Sequence, residues 1–212
     1  MAGWLEKLAN RTRRFAIHGL MNYVVVGMLT VFVADLFYNG ILSRFLEFDR
    51  AAVFRGEVWR VLTFVFLPPN SSLLFVFFAL YFYWMIGQAL EGEWGAAKFN
   101  WFYLIGAFGT MVAGLIMGSA TNEYLNLSLF FAFAILFPEF EIRLFFLLPV
   151  KVKWLGWIAA AFFAVSLFFT DWPGRVALLV SVANVALFFW TDARDRIVNA
   201  RRRRQWKNQF RK

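Results

Sequence analysis

Long apolar stretches separated by short polar ones make up most of the chain. A helix needs about 20 apolar residues to cross a bilayer. "LMNYVVVGMLTVFVADLFYNGIL" (residues 20–42) predicts a first span, residues 73–90 a second and residues 96–118 a third. Residues 154–170 predict a fifth and residues 175–191 a sixth. Between them, "LNLSLFFAFAILFP" (residues 125–138) is short for a span. Its start is therefore expected below the membrane surface, in a water-accessible recess, with a re-entrant element as the alternative. The pattern predicts an all-α polytopic membrane protein of six transmembrane helices.

Composition supports the bilayer as solvent. Of 212 residues, 61% are hydrophobic and 17% charged, and phenylalanine occurs 29 times. A soluble domain is nearer half apolar and a quarter charged. The absence of cysteine excludes disulfides and thiolate chemistry. The start, "MAGWLEKLANRTRRF", is charged but has no secretory hydrophobic region or cleavage site.

Charge gives an orientation. Basic residues in short loops mark the cytoplasmic side. With six spans, 17 of the 22 basic residues fall on one side, leaving Arg44, Arg50, Arg55, Arg60 and Arg175 on the other. The expected layout is a cytoplasmic amphipathic segment (1–19), a six-span domain (20–191) and a basic cytoplasmic tail (192–212). The net charge of +9 is mostly this topology signal. The tail, "RDRIVNARRRRQWKNQFRK", is expected to meet anionic lipid headgroups rather than nucleic acid.

The segment after the first span alternates charged and large apolar residues, and is expected to lie in the interface over residues 43–66. Within it, "GEVWRVLTFVFLP" (residues 56–68) resembles the Trp-Arg-x-x-Thr first-loop motif of rhomboids, carried here by Trp59, Arg60 and Thr63, with Glu57 beside them. "GQALEGEWGAAKFNWFYLIGAFG" (residues 87–109) resembles the rhomboid stretch that leaves span two with Gly-x-x-x-Glu and turns through a glycine. Its counterparts here are Gly87, Glu91 and Gly95. The resemblance implies a six-transmembrane-helix rhomboid-like bundle.

It also implies where chemistry would sit. Rhomboid proteases use a span-four serine in Gly-x-Ser-Gly and a span-six histidine as general base. A serine hydroxyl is a poor nucleophile without such a base. Here Ser128 is flanked by Asn126 and Leu129 in place of the glycines, and the sixth span has no histidine. The only histidine, His18, precedes the first span. The family's oxyanion-stabilising histidine and asparagine fall on Phe75 and Ala79, which donate no side-chain hydrogen bond. No catalytic residue is expected, Ser128 serving only if the protein is active. No cofactor or metal is expected either.

What remains is a scaffold without its dyad, as in derlins and inactive rhomboids, which bind transmembrane clients without cutting them. Derlins carry a span-six glycine pair; Gly174, Ala177 and Ser181 form a looser small-residue stripe here. Asn126, Ser128, Ser181 and Asn184 are expected to form a polar patch between spans four and six. It would serve either as interhelical hydrogen bonding or as a site for polar parts of a client helix. Arg60 and Glu57 are expected to fix the interfacial loop. The leading expectation is a non-catalytic protein that binds or escorts transmembrane clients. The alternatives are a serine protease with an atypical site and a small-solute carrier. Against the carrier, Asp35 is the only clear carboxylate inside a span.

Overall fold

The structure is a computed structural model that describes residues 4–69, 72–144, 148–169, 172, 175, 176 and 178–189. Helix α1 (Trp4–Thr12) runs into a 3₁₀ turn (Arg13–Phe15) and is followed by α2 (Leu20–Tyr38). The next segment folds as α3 (Ile41–Leu46), β1 (Phe48–Asp49), α4 (Arg50–Phe54), α5 (Arg60–Thr63) and a 3₁₀ turn (Phe64–Phe66). A helical hairpin follows, α6 (Leu73–Trp94) and α7 (Ala96–Met117), then β2 (Ser119–Ala120) and α8 (Glu123–Leu136). Strands β3 (Glu141–Leu144) and β4 (Leu148–Lys151) lead to α9 (Val152–Phe169). The last described helix is α10 (Leu178–Phe189).

Four of these helices, α2, α6, α7 and α9, are long and apolar enough to cross a membrane. The chain is thus a largely helical, membrane-embedded protein. In lipid each backbone amide must be satisfied within its own segment, which helices achieve. The helices α8 and α10 are apolar but shorter.

Element boundaries depart from the sequence expectation where the backbone turns. The first span was expected to reach residue 42, but α2 stops at Tyr38. Asn39 (φ 52°) and Gly40 (φ 76°) are both left-handed and break the helix. Asp35 is accounted for by this turn: its carboxylate accepts the amides of Leu42 at 2.9 Å and Ser43 at 3.1 Å. Helix α6 continues to Trp94, four residues past its expected end, because Gly95 (φ 79°) alone makes the turn into α7. Helix α8 starts at Glu123 and α9 at Val152, each two residues early. The fold is also not purely α. β1 pairs antiparallel with β2, and β3 with β4, in what had been expected to be loops. Gly174, Ala177 and the 192–212 tail lie outside the described residues.

Glycines set the helix spacing. A Cβ at Gly87 would come within 2.4 Å of the Met21 Cβ and Cγ, so α2 and α6 meet at van der Waals contact there. Gly106 faces Leu125 and Asn184, and Gly114 faces Ala120 and Phe48. The core between these helices holds Met21, Met28, Phe64, Phe99, Phe102 and Phe133, all essentially inaccessible. Helix α9 is peripheral. It packs against α8, yet Val152 is its one buried residue.

Candidate functional site

The first group of expected motif residues converges on the segment between α2 and α6. Arg60 donates through Nε to Glu57 at 2.6 Å, and through Nη1 to the carbonyls of Arg44 at 2.7 Å and Glu47 at 2.8 Å. One guanidinium thereby closes the C-terminal turn of α3 onto the start of α5, using the fork geometry that lysine lacks. Thr63 Oγ1 donates to the Leu46 carbonyl at 3.0 Å. Trp59 stacks on Phe45 with ring centroids 5.1 Å apart.

Sequence reasoning missed the residues that tie this segment to the membrane helices. Asn122 Nδ2 donates to the carbonyls of Val65 at 3.1 Å and Leu67 at 2.8 Å. Arg50 Nη1 donates to the Ile116 carbonyl at 3.0 Å, covering the exposed C-terminal end of α7. The β1–β2 pair adds a backbone seam. The available signal was a polar residue, Asn122, standing between two apolar runs.

The Gly-x-x-x-Glu residues do structural work at the opposite end of α6. Glu91 Oε1 accepts the Gly19 amide at 2.8 Å, fixing the left-handed turn (φ 66°) that starts α2. Above it, Asn22 Oδ1 accepts from Trp84 Nε1 at 2.8 Å and Gln88 Nε2 at 2.9 Å.

The expected polar patch is only partly assembled. Ser128, Asn126, Ser181 and Asn184 are all buried. Asn184 Nδ2 reaches Ser128 Oγ at 3.5 Å and the Phe102 carbonyl at 3.4 Å. Ser181 Oγ instead donates to the Tyr124 carbonyl at 2.8 Å. Asn126 makes no side-chain hydrogen bond to the other three. Ser128 Oγ gives its proton to the Leu125 carbonyl at 2.7 Å, the usual way a helical serine satisfies itself. Neither a backbone carbonyl nor an amide nitrogen takes a proton at neutral pH, so these contacts do not activate the hydroxyl.

The surroundings of the patch are short of donors. The carbonyl oxygens of Asn126 and Asn184 are buried and find no hydrogen-bond partner among the described residues, and the same holds for the Tyr103 hydroxyl, a residue sequence reasoning passed over. Such atoms cost stability, about 1–3 kcal/mol each in water-soluble folds. Chemically the cluster presents two acceptors and a hydroxyl, which suits N–H and O–H donors. Of the residues expected to be silent, Phe75 is 56% exposed and points away from any core, whereas Ala79 is buried. His18 is exposed and precedes α2.

The α8–α9 connection and the first turn of α9 hold an ionic cluster. Glu139 accepts from Lys151 and Lys153, each at 2.7 Å. The Lys151 bond first, then that of Lys153, pulls the Glu139 carboxyl down to about 2. The same Glu139 contact raises Lys151.

No protein-family model matches the chain, and no curated protein matches it.

Proposed function

We propose that the protein is a rhomboid-like membrane protein without a usable serine–histidine dyad, and that it binds or escorts transmembrane client helices. In this reading α8 and α10 join the four long helices to make six spans, with both termini cytoplasmic and the 43–66 segment in the opposite interface. The observation that carries it is the environment of Ser128, whose hydroxyl is engaged by the Leu125 carbonyl and faces an asparagine amide rather than a base.

One further feature supports client binding. Among the described residues of α9 only Val152 is buried, and the helix packs on α8 through contacts such as Phe131 against Phe163 at 6.1 Å; in this reading α9 moves aside to admit a helix beside α6.

The test is direct. In bilayer at neutral pH, the expected result is no turnover of a fluorogenic transmembrane substrate and no labelling of Ser128 by a fluorophosphonate. A photoreactive residue at Ala160 on α9 or Phe78 on α6 should crosslink a client helix equally well in the wild type and in Ser128→Ala. Ser128 labelling that disappears in Ser128→Ala would overturn the proposal. Absence of any crosslink from both positions would remove the client-binding half.

A further inference from the structure

An apolar groove of about 390 Å³ runs between α7 and the interfacial segment. Its floor is one stripe of α7 that includes Trp101, Leu104, Phe108 and Met111, and Val61 and Leu62 complete the lining from the 43–66 segment. The size is within the range of small-ligand sites. From Trp101 to Met111 the groove covers eleven residues, or ten helical steps of 1.5 Å, about 15 Å of helix. That is half of a ~30 Å hydrocarbon core, the depth of one leaflet.

The near end of the groove is tied to a basic segment. Trp101, which lines the groove, donates from Nε1 to Thr12 Oγ1 at 2.9 Å. Arg13 and Arg14 follow Thr12 at once, and both are exposed. The 3₁₀ turn that carries them and the preceding α1 both pack on α7. Residues 4–15 hold four basic side chains (Lys7, Arg11, Arg13, Arg14) and one acid, Glu6. A basic amphipathic segment of this kind lies at the headgroup level and attracts anionic lipid.

The geometry points to a site for a single anionic glycerophospholipid, with its headgroup at Arg13 and Arg14 and one acyl chain along α7. A second helix fits this face poorly. Close helix packing in membranes uses small residues, and the α7 glycines are turned inward. Gly106 faces Leu125 and Asn184, Gly109 faces Val180, and Gly114 faces Ala120 and Phe48. The groove face carries large side chains instead, with Leu104 and Phe108 more than half exposed. A flexible chain follows such a surface without needing flat complementarity. The arginines select charge and the groove selects a chain of leaflet length.

The experiment is native mass spectrometry of the full-length protein in mild detergent. The probes are long-chain phosphatidylglycerol, phosphatidylcholine with the same chains, and glycerol phosphate as the headgroup alone. The expected result is one phosphatidylglycerol retained per protein at lipid levels where phosphatidylcholine is lost and glycerol phosphate never binds. Ala107→Trp fills the groove and should abolish that single adduct. Arg13→Gln with Arg14→Gln should weaken it about 25-fold, at roughly fivefold per arginine. If Ala107→Trp fails to fold, Leu104→Trp on the same open stripe takes its place. An adduct that survives the filled groove, as one held by the basic tail would, overturns the site. Equal retention of phosphatidylcholine, or binding of the headgroup alone, does so as well.

Discussion

Arg60→Ala should loosen the whole segment between α2 and α6. The side chain is 12% exposed and supplies one charged hydrogen bond to Glu57 and two to backbone carbonyls. Adding three full values would overshoot. Glu57 is 31% exposed, and an exposed pair contributes at most about 1 kcal/mol. The two carbonyls, once released, can turn to water or headgroups. The net loss is then about that of one well-made charged hydrogen bond, roughly 1.5–3 kcal/mol. For a chain of this size that shifts melting by roughly 3–12 °C. Because the protein has no cysteine, a single Ala113→Cys, buried in α7, would report unfolding through a thiol-reactive fluorophore in detergent. Arg60→Lys should recover less than half of the loss, since one ammonium cannot span Glu57, Arg44 and Glu47 together. An unchanged melting temperature in Arg60→Ala, or full rescue by lysine, would refute this reasoning.

Two glycines five residues apart on α6, Gly87 and Gly92, should respond to alanine with opposite signs. Gly87→Ala drives a Cβ to 2.4 Å from Met21, which is fully buried, so a clash of about 1–3 kcal/mol outweighs the gain in helix propensity. Gly92→Ala meets nothing within 4 Å and should stabilise by up to about 1 kcal/mol; the same thiol-melting assay reads both. Carboxyl NMR should find Glu139 titrating at about 2 in low salt and moving toward its ordinary 4.5 as salt screens Lys151 and Lys153. Its depressed value means that its contribution to stability is present above the ordinary carboxyl range and lost as pH falls toward 2. The raised Lys151 contributes below 10.5 and is lost as pH rises above it. Both contributions are small because all three groups are exposed, and an unshifted Glu139 at low salt would count against the cluster.

The apolar runs were legible because a helix in lipid needs only length and hydrophobicity, and the α2, α6, α7 and α9 cores lie where those properties placed them. Their ends were less legible. Residues 39 and 40 read as a continuation of an apolar run, yet Asn-Gly is a turn signal, and its two left-handed residues stop α2. The β1–β2 and β3–β4 pairings join residues whose local pattern says nothing about a partner. At the candidate site, Arg60 and Glu57 were readable as a pair because three residues on one turn bring them together. The partners that lie far along the chain, Asn122 for the Val65 and Leu67 carbonyls and Arg50 for α7, depend on the tertiary arrangement alone. The polar patch illustrates the same limit. Four residues on two helices were expected to meet, but helix rotation brings Asn184 to Ser128 and turns Ser181 to a backbone carbonyl.

Helix α8 has 14 residues, about 21 Å at 1.5 Å per residue, against 22 residues and about 33 Å for α6 and α7. Its ends are fixed by groups that stay out of hydrocarbon: Glu123 at the start, and Glu139 with its two lysines just beyond the end. If α8 is one of six spans, as proposed above, a ~30 Å hydrocarbon layer cannot meet both ends without deforming. In the proposed six-span arrangement the bilayer would be pinched by several ångströms along the α8 flank wherever no water-filled recess reaches Glu123, while beside α6 and α7 it would keep its full thickness. Each ångström of mismatch costs a fraction of a kcal/mol. That arrangement would make the protein an asymmetric inclusion, favouring thin membranes and neighbours with short hydrophobic stretches on its α8 side.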